Sequence, residues 1–119
     1  VAKIRSYSAE QVLDLIGTNR GLLLVHFGSP LASSSDFVCK ELEILMDGFI
    51  GRVGFANVEL PLQDIDLLRR YSIEEIPTLI LFSGCVEVER LTQIFLPNEL
   101  RDFLENCCSY HLRQNPSDG

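Results

Sequence analysis

The chain has no tryptophan, and no two of its four cysteines stand two residues apart as metal-ligand pairs do. Its two histidines, His26 and His111, lie far apart with no ligand pattern around them, so neither a metal nor another cofactor is expected. Bases are scarce: ten Lys and Arg stand against seventeen Asp and Glu, a formal charge of −7. That balance argues against a nucleic-acid backbone or an anionic membrane surface as the main partner. Long apolar runs are missing too. Leu22–Phe27 and Leu79–Phe82 fall far short of the roughly 20 residues that span a bilayer, so no membrane insertion is expected. No basic, apolar leader of signal-peptide type opens the chain. It begins on Val1 instead of methionine, which reads as a processed or excised piece. No glycosylation acceptor is present, because Pro116 blocks Asn115.

What is there suffices for one core. A chain of 119 residues with 46% hydrophobic content supports a single domain and excludes a disordered one. Such a core needs no disulfide framework. The adjacent Cys107 and Cys108 are expected as two ordinary thiols, since a bond between neighbours is strained.

Elements follow from pattern. Residues 1–7 carry weak strand character. Ser8 and Gln11 form a capping box before Val12, Leu13, Leu15 and Ile16, with Gly17, Asn19 and Gly21 as stop signals. The run Leu22–Phe27 suits a strand buried on both faces. Gly28 to Ser35 is loop-like, and a helix capped by Ser35 or Asp36 is expected from there to Gly48, with Phe37, Val38, Leu42 and Leu45 at helical spacing. A strand over Arg52–Val58 and a short helix over Leu62–Tyr71 come next. Ile76–Phe82 and Val86–Leu91 read as a hairpin about Ser83-Gly84. Pro97 opens a last helix with Leu100, Phe103 and Leu104 inward. Residues 1–108 are expected as the domain and 109–119 as a disordered tail. The order β-α-β-α-β-α-β-β-α predicts an α/β fold, a central mixed sheet flanked by helices.

The stretch Tyr71-Ser-Ile-Glu-Glu-Ile-Pro-Thr-Leu-Ile-Leu-Phe82 resembles the thioredoxin-like superfamily, which writes Tyr-x-Ile-x-x-Ile/Val-Pro-Thr-Leu/Phe and then apolar residues. The resemblance covers residues 1–108 and implies the thioredoxin-like fold, with Pro77 as the cis-proline facing the active site. The catalytic positions depart from the family pattern of strand, then Phe-Trp-Ala-x-Trp-Cys-Gly-Pro-Cys-Lys. Phe27 is followed without a gap by Gly28-Ser-Pro-Leu-Ala-Ser-Ser-Ser-Asp36, so the two cysteines fall on Ala32 and Ser35. The family's buried carboxylate falls on His26, its helix-bending proline on Lys40, and the glycine before its last helix near Gln93. Thiol–disulfide exchange needs an attacking thiolate and a resolving thiol, and a methyl and a hydroxyl supply neither.

The resemblance is therefore to a redox-inactive member, similar to non-catalytic protein disulfide isomerase domains or thioredoxin-like assembly chaperones. It implies a protein or peptide client held on the former active-site surface. The residues expected there are Ser29, Leu31, Ala32, Ser33, Ser34, Glu75, Ile76, Pro77, Gln93 and Ile94, with Leu31, Ile94 and Phe95 as an apolar rim. Two alternatives stand beside it. One is a monothiol oxidoreductase acting through Cys39 or an exposed Cys85. The other is a structural domain of a larger protein. His26 reads either as a packed core histidine or as the base of a Ser35–His26 pair that lacks a third member. Cys39 reads as a buried core thiol or as a displaced monothiol. Compartment (endoplasmic reticulum lumen or cytoplasm), client and oligomeric state are not written in these residues.

Overall fold

The computed structural model describes residues 3–59, 65–93 and 96–113. The elements are β1 (Ser6–Tyr7), α1 (Ala9–Thr18), β2 (Leu22–Gly28), α2 (Ser33–Leu45) with a 3-10 turn (Met46–Phe49), β3 (Val53–Glu59), α3 (Ile65–Arg70), β4 (Thr78–Ser83), β5 (Val86–Leu91) and α4 (Pro97–Arg113). This is an α/β architecture. One five-stranded sheet runs in the order β1-β3-β2-β4-β5. β1, β3 and β2 are mutually parallel, and β4 and β5 continue antiparallel, so the sheet is mixed.

The apolar run of β2 is central and buried at all seven positions, as its unbroken hydrophobicity predicts. Its side chains alternate between faces. Leu22 and Leu24 join Val53 of β3, Leu79 and Leu81 of β4, Val38 and Leu42 of α2, and Leu100 and Leu104 of α4. Leu23, Val25 and Phe27 join Ala56 and Val58 of β3, Ile80 and Phe82 of β4, Val12 and Ile16 of α1, and Leu67 of α3. The sheet thus carries a core on each face, covered by helices on both.

Local chemistry sets several boundaries. Ser8 and Gln11 form the expected capping box, each side chain bonding the other's backbone amide. Asn19 follows α1 and donates through Nδ2 to the carbonyls of Gly21 and Gly84, at 2.8 and 2.7 Å. That pins the β4–β5 hairpin against the start of β2. Gly84 takes a φ of +62°, which a side chain would resist, so glycine suits the hairpin turn.

The sequence misplaced one end. α4 continues to Arg113, past the expected limit at Cys108. Cys107 and Cys108 face the core, and His111 Nε2 lies 2.9 Å from the Glu89 carboxylate of β5, so tertiary contacts hold the polar turn. Residues 114–119 of the expected tail lie outside the described residues.

Candidate functional site

The loop after β2 and the first turn of α2 form one hydrogen-bonded unit. α2 starts at Ser33, with Ala32 in the N-cap position and no side-chain cap, which corrects the expected start at Ser35 or Asp36. The reason lies in what Ser35 binds. Its amide donates to the Ala32 carbonyl at 3.0 Å, inside the helix. Its hydroxyl oxygen accepts the Ser29 amide at 3.1 Å, and the side chain is buried. Ser29 Oγ in turn accepts the Leu31 amide at 3.2 Å. Asp36 sits in the first turn, where its charge suits the helix dipole, and pairs with Lys40 Nζ at 3.0 Å. That pair is exposed and contributes little to stability.

The residues expected to hold a client leave from one end of the sheet. Phe27 pairs with Thr78, the last pair of the β2–β4 ladder at that end. The Ser29–Ser34 loop therefore departs β2 where Glu75-Ile76-Pro77 enters β4. Leu31 is 79% exposed, and Ser33 and Ser34 are exposed beside it. Ala32 is half-buried and Ser29 buried. The Ile76–Pro77 peptide is cis. Pro77 is buried, and Ile76 is half-buried against the α1/α3 core. Glu75 is exposed; its carbonyl accepts the Thr78 hydroxyl at 2.6 Å, and its carboxylate lies 3.5 Å from Gln93 Nε2. Arg90 of β5 steadies the approach to this edge by donating to the carbonyls of Tyr71 and Ser72 while bonding both carboxylate oxygens of Glu87. Ile94 and Phe95 lie outside the described residues. Among the described residues, no hydrogen bond or ion pair joins the 29–34 loop to residues 75–77.

A cavity of about 270 Å³ opens on the α2 side of the same sheet end. His26 and Asn57 are register partners on β2 and β3, as are Gly28 and Glu59, and all four line it. Ser35, Asp36 and Cys39 of α2 form the opposite wall. His26 is 2% exposed. Its Nδ1 lies 2.7 Å from Asn57 Oδ1, and Asn57 Nδ2 donates to Ser6 Oγ at 3.0 Å. With Nδ2 turned to Ser6, Asn57 presents Oδ1 to His26, and in this arrangement Nδ1 carries the proton and Nε2 a lone pair. Burial pushes the imidazole pKa below 6.5, and the Asn57 bond opposes this only in part, so the ring is neutral at pH 7. Nε2 is buried and has no hydrogen-bond partner.

This geometry decides between readings of single residues. Asn57 supplies the orienting third member that the sequence did not reveal. Yet the Ser35 hydroxyl is held by the Ser29 amide and does not bond His26, so no nucleophile–base pair forms. Cys39 is half-buried: it packs against the core on the α2 side of the sheet and also lines the cavity wall. Its pKa is raised, by burial first and then by Glu43, Asp36 and Glu59, with Lys3 opposing. Burial also raises Cys108, and it pushes Cys107 up to about 12. All four cysteines are free; only Cys85, in the hairpin turn, is exposed. Among the described residues no three His, Cys, Asp or Glu side chains are placed to hold a metal ion, and no helix is long and apolar enough to cross a membrane.

Asn57, Glu59 and Gly28 were missed as site residues. A faint signal for Asn57 existed, as a polar residue in the apolar strand Val53–Val58. Nothing in the sequence gave its register against His26. Compared with family models and with curated proteins, the chain matches none.

Proposed function

We propose that this chain is a redox-inactive thioredoxin-like domain that holds a protein or peptide client, in a chaperone or adaptor role, on the surface between the Ser29–Ser34 loop and Glu75–Pro77. The observation that carries this reading is the exposed Leu31. It projects from a loop without a thiol, at the sheet end where Ile76 lies beyond the last ladder pair. An extended apolar segment suits such a place, with Leu31 giving apolar contact and the Ile76 backbone an edge for strand-like pairing. The mixed sheet and the cis Ile76–Pro77 bond agree with the fold that the sequence resemblance implies. Against thiol chemistry stand Ala32 and a Ser35 hydroxyl already engaged with Ser29. The raised pKa of Cys39 also keeps its thiolate scarce.

Titration with an extended, apolar, uncharged peptide, followed by amide chemical shifts, tests the reading. Shifts should cluster at 29–34 and 75–78. Leu31→Asp should weaken binding by about tenfold or more, as losing one buried leucine contact does. In an insulin-reduction assay the protein should be inactive. Activity that vanishes with Cys39→Ser or Cys85→Ser would overturn the binding role in favour of a monothiol enzyme.

A further inference from the structure

The β5 side of the sheet is open in a way that client capture at Leu31 does not use. β5 is the last strand in the sheet order and, among the described residues, pairs with β4 alone. An edge strand offers amides and carbonyls to another chain, and proteins commonly guard it with charges and bulges. β5 carries a register shift opposite Leu81 and Phe82, but its charged side chains are engaged within the chain. Arg90 bonds Glu87 and reaches the Tyr71 and Ser72 carbonyls. Glu89 Oε2 lies 2.9 Å from His111 Nε2. Val86, at the start of the strand, is exposed.

A groove of about 380 Å³ runs beside this edge, between Glu89 of β5 and Phe103, Asn106, Cys107 and Tyr110 of α4. Helical spacing puts Phe103, Cys107 and Tyr110 on one side of α4. Phe103 is half-buried, and Tyr110 is 59% exposed. The Tyr110 ring meets His111 edge-on at 4.9 Å, so the residue that Glu89 holds also steadies this ring. The groove is therefore aromatic on its helix side and carries a carboxylate on its strand side. Glu89 Oε1 makes no hydrogen bond among the described residues, and the side chain is 40% exposed. Its charge reaches Cys107, whose pKa burial raises first and Glu89 next. Asp102, exposed one turn before Asn106, adds a second acid. No cationic side chain lines the groove among the described residues.

We propose that the β5 edge and this groove bind an extended basic segment of another protein, which joins the sheet as a further strand. Main-chain hydrogen bonds to β5 supply the pairing. A strand added at the usual spacing of about 4.8 Å lays alternate side chains over Phe103 and Tyr110, where a lysine or arginine meets Glu89. The chain's own charge of −7 opposes a second copy at this edge and favours a basic partner. The site is separate from the client surface, because none of its residues belongs to the Ser29–Ser34 loop or to Glu75–Pro77.

The test titrates the full chain with the peptide acetyl-Lys-Val-Lys-Val-Lys-amide and follows amide chemical shifts. Saturable shifts are expected along 86–91 and at Phe103, Asn106 and Tyr110. Tyr110→Ser should weaken binding about fivefold, the effect of one aromatic contact. Glu89→Gln should weaken it about threefold, the effect of one partly exposed ion pair. Alternate amides of an added strand face β5, so the peptide methylated on its valine nitrogens and the one methylated on its lysine nitrogens should differ, one binding far more weakly than the other. Equal binding by both methylated forms would overturn strand addition. Equal binding by the peptide with glutamate in place of lysine would overturn the basic partner. Shifts absent from 86–91, or confined to 29–34 and 75–78, would overturn the site. Shifts at 86–91 that grow with protein concentration alone would give the edge to a second copy and overturn the proposal.

Discussion

Phe27 and His26 are neighbours on β2, and Val58 and Asn57 are neighbours on β3, yet each pair divides between the two faces of the sheet. Phe27 and Val58 close one face. There Phe27 meets the Tyr71 ring at 5.5 Å, and Tyr71 meets Phe82 edge-on at 5.8 Å. His26 and Asn57 end the other face, where the apolar stripe of Leu22 and Leu24 gives way to a cavity and an unpartnered nitrogen. The backbone is shared, so the contrast comes from side-chain alternation alone. One face is filled with carbon and serves stability. The other gives up packing at its end and leaves a cavity.

The largest effect that probes this contrast belongs to the closed face. Phe27→Ala removes a side chain with no exposed surface and should cost about 3–5 kcal/mol in denaturant unfolding. Next comes the open face. Asn57→Ala leaves His26 Nδ1 without its acceptor and should cost about 1–3 kcal/mol. Ring nitrogen resonances should then show the two tautomers mixing. If Asn57→Ala cost as much as Phe27→Ala, the two ends would be equally structural and the contrast would fail.

The smallest effect is a pH dependence. Burial holds folded His26 below its ordinary pKa of 6.5, so the unfolded chain binds the proton first as pH falls. This contribution to stability is intact above pH 6.5, is lost as pH falls from there through the folded pKa, and then levels off. His26→Gln should remove that part of the slope in unfolding measured between pH 7 and 5. Glu87 gives a separate fall at lower pH. Its hydrogen bond to Arg90 keeps its pKa below 4.5, so stability is lost as that carboxylate takes up its proton. An unchanged slope in His26→Gln would mean that the ring is not held neutral by burial.

Much of the fold was legible because its signals are local. The capping box at Ser8, the buried run Leu22–Phe27 and the hairpin at Gly84 each depend on residues close in sequence. The start of α2 was misread because Ser35, a good cap by type, is engaged by the Ser29 amide across the loop. The end of α4 was misread because a polar turn looks like a tail until Glu89 is seen opposite His111. For the site, the Ser29–Ser34 loop and Pro77 stood out by motif, while Asn57 and Glu59 did not.

The α/β alternation and the lack of a thiol at Ala32 and Ser35 were readable from the chain alone. These follow from residue type and period, which need no partner. Only the tertiary arrangement shows that His26 meets Asn57, that Gly28 packs against the ring's ε edge, and that Cys39 lines a cavity. Each depends on strand register and helix placement, which bring together residues far apart in the chain.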